Sequence, residues 1–124
     1  MLKPEQIEHI KVVDWVNACT DLPVLHIANE RRTSPQQGAI LKRMGVKSGV
    51  SDLFFPRAKH PFSGLWIELK TEKGKPTPTQ LKFIEDMLKE GFYGKVTYGA
   101  EETIAFIKEF YNLPAHDMPG NRLR

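Results

Sequence analysis

Gly49-Val50-Ser51-Asp52-Leu53-Phe54-Phe55 and Leu65-Trp66-Ile67-Glu68-Leu69-Lys70 decide how this chain folds. Both runs are short, rich in apolar and aromatic residues, and bounded by glycine, proline and charge, so they read as strands. Between them, Arg57-Ala58-Lys59-His60-Pro61-Phe62-Ser63-Gly64 is polar and turn-like, which predicts an antiparallel hairpin with a long loop centred near His60. That centre pairs Leu53 with Ile67 and Phe55 with Leu65, and sets Asp52 opposite Glu68. Side chains alternate along a strand, so Leu53, Phe55, Leu65, Ile67 and Leu69 share one face. Asp52, Glu68 and Lys70 share the other. A bulge in the loop would slip this register by one residue and undo the match.

The polar face carries chemistry. Opposed side chains have Cβ atoms about 4.5–5.5 Å apart, close enough for two carboxylates to grip one cation. Facing like charges destabilise a hairpin unless a counter-charge offsets them. Asp52 and Glu68 suit a hard divalent cation bound through oxygen, with the Leu69 carbonyl as a further donor. With an ammonium beside them, the acids have what metal-assisted phosphodiester cleavage requires. An ammonium next to two carboxylates keeps its proton, so Lys70 is read as orienting water or stabilising phosphate. It becomes a base only when bound metal offsets the carboxylate field. The plainer alternative makes Asp52 an exposed strand-start acid and Glu68–Lys70 a surface ion pair.

Outward from the hairpin, residues 4–19 read as an amphipathic helix with Ile7, Ile10, Val13 and Val16 marking its period and Pro4 near its start. Pro23–Ala28 reads as a buried strand, followed by a loop over Asn29–Thr33. A helix is expected from Ser34 to Met44, capped by Ser34 and stopped by Gly45. Thr77-Pro78-Thr79-Gln80 has the form of a capping box opening a helix to residue 90, with Leu81, Ile84 and Leu88 as its apolar stripe. Residues 92–98 make another strand, and 100–112 a helix with Ile104, Ile107 and Tyr111 inward. Strand 65–70, helix 78–90 and strand 93–98 form a right-handed βαβ unit with parallel strands. The expected class is α/β, a mixed central sheet flanked by helices.

A chain of 124 residues fits one domain, here expected over residues 1–113 with 114–124 as a short tail. Hydrophobic content of 40% and charged content of 27% are those of an ordinary globular protein. No apolar run approaches the ~20 residues that span a bilayer, and the N-terminus lacks a signal-peptide core. A cytoplasmic protein with no membrane partner is expected, and Cys19 is expected to be a buried, reduced thiol. The formal charge of +3 says less than its placement. Arg31, Arg32, Lys42, Arg43 and Lys47 precede the first acid, Lys73 and Lys75 follow Lys70, and Arg122 and Arg124 close the chain. Basic groups near an acidic metal site suit a polyanionic substrate. No GxxxxGK[ST] or GxGxxG loop occurs, which disfavours nucleotide-driven chemistry. His9, His26, His60 and His116 lack zinc-ligand spacing and read as surface or packed residues.

Gly45-Val46-Lys47-Ser48-Gly49-Val50-Ser51-Asp52-Leu53, then Gly64-Leu65-Trp66-Ile67-Glu68-Leu69-Lys70, then Thr79-Gln80, resembles the VRR-NUC domain. This is the virus-type replication-repair nuclease branch of the PD-(D/E)XK superfamily. The resemblance runs from about Glu8 to Tyr111, with Ser51 standing where many relatives carry proline. It implies a restriction-endonuclease-like core and Mg²⁺- or Mn²⁺-dependent cleavage of DNA, with Asp52, Glu68 and Lys70 as the core triad. It further implies that Glu8, ahead of Trp15, completes the metal site, although His9 stands where relatives often have glutamine. Gln80 matches the family's glutamine near the active site, a position the capping box explains equally well. Asn29 falls where relatives often have asparagine. A bare nuclease domain resembles the stand-alone phage and bacterial members, which implies a homodimer acting on branched DNA or nicking duplex. Arg31, Arg32, Lys42, Arg43, Lys47, Lys73 and Lys75 are then the expected DNA contacts. A restriction-type enzyme would need a recognition module that is not evident. A non-catalytic DNA-binding or interaction module would keep the fold, but the intact Asp52/Glu68/Lys70 set argues against it.

Overall fold

The hairpin forms as its residues dictate. In the computed structural model, which describes residues 1–28 and 34–113, strand β2 (Leu53–Phe55) pairs antiparallel with β3 (Leu65–Lys70). The register is Leu53 with Ile67, Phe54 with Trp66 and Phe55 with Leu65. This is the pairing expected from the sequence. Asn29, Arg31, Arg32 and the 114–124 tail with Arg122 and Arg124 lie outside the described residues.

Around the hairpin lie α1 (Pro4–Cys19), β1 (Leu25–His26), α2 (Pro35–Arg43), α3 (Pro78–Lys89), β4 (Tyr93–Tyr98) and α4 (Gly99–Tyr111). The four strands form one mixed sheet in the order β1-β2-β3-β4. β1 is antiparallel to β2, whereas β4 is parallel to β3 and is reached through α3. Parallel neighbours need such a crossover, and this one occupies the face of the sheet that carries Glu68.

Alternation along the strands sorts the two faces. Leu53, Phe55, Leu65 and Ile67 are fully buried, and Leu69 nearly so, beneath α1 and α4. Val12 and Val16 of α1 and Ile107 of α4 complete this core. The buried Tyr111 hydroxyl donates to the Arg57 carbonyl oxygen at 2.8 Å, tying the end of α4 to the chain leaving β2. On the opposite face Phe54 stacks on Trp66 at 4.3 Å, and Trp66 meets Phe83 of α3 edge-to-face at 4.9 Å. Gly94 of β4 lets α3 approach, since a Cβ there would lie 2.8 Å from Ile84 Cγ2. The result is three layers: α1 with α4, the sheet, and α3.

Local signals place the helix starts. Thr77 Oγ1 accepts from the Gln80 backbone N–H at 3.2 Å, and Gln80 Oε1 accepts from the Thr77 N–H at 2.8 Å. Each satisfies a donor that a first turn leaves without a partner. Ser34 caps α2 in the same way through the Gln37 N–H. Gly45 follows α2 at φ +100°, a left-handed conformation that glycine adopts without strain.

Two apolar stripes differ from expectation. In α1 the buried residues are Val12 and Val16, while Ile7 and Ile10 are exposed. Only the second half of the helix crosses the core; several residues of the first half line an open cleft. In α3, Leu81 and Leu88 face solvent, and Phe83, Ile84 and Met87 turn inward. Cys19 is a free thiol that is half-buried, at the last turn of α1. No helix among the described residues is long and apolar enough to cross a membrane.

Candidate active site

Asp52 immediately precedes β2, and stepping the hairpin register by one residue sets it across from Glu68. Both carboxylates are buried, at 9% and 2% exposure. Asp52 Oδ2 also accepts the Leu69 backbone N–H at 2.9 Å, which fixes its rotamer. Lys70 follows on the same strand face, its Nζ 3.4 Å from Glu68 Oε2. Glu68 Oε1 is buried with no hydrogen-bond partner.

That arrangement is electrostatically expensive. Burial pushes the Glu68 carboxyl up to about 8, the Asp52 charge adds to the rise, and Lys70 opposes it only in part. Without a further cation Glu68 therefore holds a proton near neutral pH. A buried oxygen lacking a partner beside a second carboxylate is a donor set that a hard divalent cation would satisfy. Among the described residues no three His, Cys, Asp or Glu side chains converge on a common metal position.

The pair sits in a cleft of about 530 Å³. Leu69, Lys70, Lys75 and Gln80 are part of its lining. Leu2, just before α1, and Glu5, His9 and Ile10 of α1 and His26 of β1 also line it. His26 Nδ1 lies 3.3 Å from the Asp52 carbonyl oxygen, and the His9 and His26 rings meet edge-to-face at 4.3 Å. Burial and the neighbouring His26 hold His9 below the usual imidazole range, against the pull of Asp52.

The structure brings Asp52, Glu68, Leu69 and Lys70 together, with Lys75 and Gln80 in the same cleft. Gln80 serves as cap and cleft wall at once, because its carbonyl holds Thr77 while the residue faces the cavity. Glu8 is placed elsewhere. Its Oε1 accepts the Ala100 N–H at 2.8 Å at the start of α4, its Oε2 pairs with Lys11 at 3.2 Å, and these contacts hold its carboxyl below the usual range. A helix N-terminus attracts a carboxylate, and α4 has captured this one. Lys42, Arg43, Lys47 and Lys73 are exposed and outside the cleft lining. Sequence reasoning missed His9, His26 and Glu5. The i, i+4 spacing of Glu5 and His9 was the available signal, since it sets both on one side of α1.

No protein-family model matches the sequence, and no curated protein is detectably similar to it. Among solved structures the chain resembles a VRR_NUC domain protein, with a TM-score of 0.70 and 24% sequence identity over 98% of this chain and 95% of that one. Near-complete coverage in both directions means that the helices, the sheet and the hairpin bearing Asp52 and Glu68 all take part in the match. This chain has the VRR-NUC fold.

Proposed function

We propose that the protein is a metal-dependent DNA endonuclease, structure-selective or nicking. The observation that carries this reading is Glu68: a buried carboxylate with an unpartnered oxygen, across the hairpin from a second buried carboxylate and beside an ammonium. Buried carboxylate oxygens in a structural ion pair are as a rule hydrogen-bonded.

Asp52, Glu68 and the Leu69 carbonyl would hold Mg²⁺ or Mn²⁺, which when bound supplies charge neutralisation at phosphorus and an acidified water. The chain's own residues do the rest. The Leu69 N–H keeps Asp52 aimed at Glu68. Lys70 donates towards the attacking water or a phosphate oxygen, holding its charge where negative charge develops. Lys75, on the same cleft, neutralises a neighbouring phosphate, and the exposed Lys42, Arg43, Lys47 and Lys73 extend the basic surface available to a longer duplex. A homodimer would set two such sites on the two strands of a duplex for paired cuts. Sedimentation showing a monomer both free and on DNA argues against that assembly.

The deciding assay offers supercoiled plasmid, linear duplex, flap and four-way junction with Mg²⁺, Mn²⁺ or EDTA. Cutting is expected with either metal and lost in EDTA and in Asp52→Asn, with Lys70→Ala slower by about 10²–10⁴-fold. Cleavage that persists in EDTA or in Asp52→Asn removes the metal mechanism. Binding without cleavage under every metal favours an interaction module that keeps the fold.

A further inference from the structure

The cleft lining contains residues of two chemical kinds. Lys70, Lys75 and Gln80 are cationic or polar, suited to a phosphate backbone. The same lining holds Leu2 and Ile10, exposed at 54% and 43%, and the His9–His26 ring pair. Single exposed apolar residues are ordinary on any surface. Here they line the same cavity as a buried acid pair, and the neighbouring rings are planar. A phosphate gains nothing from such a wall, but the flat face of a nucleobase does.

Access to that face restricts the substrate. In a duplex the base faces are covered by stacking and only the edges are presented. A cavity of about 530 Å³ has room for a group the size of a nucleobase. We infer that the wall formed by Leu2, His9, Ile10 and His26 takes an unpaired nucleobase of DNA adjacent to the scissile phosphate. The inference rests on the nuclease reading for the identity of the polymer, and it names the substrate class: DNA with an unstacked nucleotide at the cut.

The test measures binding separately from cutting. Protein carrying Asp52→Asn is titrated with Mg²⁺ present against two oligonucleotides of equal length. One carries 2-aminopurine at an unpaired position beside a branch, the other at a fully paired position. The unpaired probe is expected to bind more tightly by roughly tenfold, with a change in 2-aminopurine emission. Adding Ile10→Ala, an exposed helical site that tolerates alanine, should bring that ratio towards one. His9→Ala should do the same, while His9→Phe, which keeps a flat ring, should retain the preference. Equal affinities at the outset, or a ratio that neither Ile10→Ala nor His9→Ala moves, overturns the inference. Cleavage by the otherwise unmodified protein is scored on the same DNAs. If nothing is cut while the ratio falls as expected, the pocket stands and the nuclease reading falls. If all are cut while the ratio stays fixed, the reverse holds.

Discussion

The two faces of one hairpin are built to opposite rules. On one, Leu53, Phe55, Leu65 and Ile67 are fully buried among hydrocarbon and aromatic groups. On the other, Asp52 and Glu68 are almost as deeply buried, yet one carboxylate oxygen has no partner and one carboxyl is pushed far from its ordinary range. The first face stabilises the fold; the second is held in place by it. Burial alone therefore does not tell a core from a site. What distinguishes them is the chemistry of the buried groups, hydrocarbon on one face and carboxylate on the other.

The largest expected effect breaks the apolar face. Ile67→Ala should lower unfolding free energy by about 2–5 kcal/mol in denaturant melts, because the cavity forms where the sheet meets α1 and α4. A loss below 1 kcal/mol would mean that this face is less tightly packed than it looks.

Next comes a change on the acid face, with the opposite sign. Glu68 in the folded chain keeps its proton to about pH 8, whereas the unfolded chain releases it near 4.5. The contribution of this group is therefore fully present below 4.5 and is lost as pH rises through 8. Metal-free protein should lose stability from pH 5 to pH 9, and Glu68→Gln should remove that component, a difference on the order of a few kcal/mol at pH 9. Mg²⁺ or Mn²⁺ should restore stability at the alkaline end in the parent protein but not in Glu68→Gln. Parallel pH slopes in the metal-free proteins would show that the two faces differ less than the geometry implies.

Smaller effects sharpen the contrast. Thr77→Ala, which removes the α3 cap while leaving both strand faces intact, should cost about 1 kcal/mol. Lys70→Ala should alter stability at pH 7 least, by under about 1 kcal/mol, because its Glu68 partner is then largely protonated. A large drop in melting temperature would instead assign Lys70 to the packing of the fold.

The hairpin was legible in the sequence because a period of two, a turn-like loop and two facing acids all specify one register. The capping box at Thr77 and Gln80 was legible for the same reason, since cap chemistry is local. The stripes of α1 and α3 were not. Ile7, Ile10 and Leu81 fit a helical period as well as the residues that are buried, and only the position of each helix over the sheet decides between them. Glu8 illustrates a further limit. Its partner, the Ala100 N–H, is far away in sequence and belongs to a helix end that the topology brings alongside. Nothing near Glu8 in the chain announces that contact. His9 and His26 meet for the same kind of reason, each carried to the cleft by a different element.

Gly49 gives the site a mechanical character. It sits at φ +83°, and a Cβ on it would lie 2.7 Å from the Thr79 carbonyl oxygen. The turn that delivers Asp52 thus rests on the backbone of the first turn of α3, one residue from Gln80, with no side chain of its own between them. Two parts of the cleft that belong to different layers share a single datum, main chain on main chain, and it cannot be retuned by choosing a different side chain. Any residue larger than glycine at position 49 acts as a shim, moving the acid and the glutamine apart together.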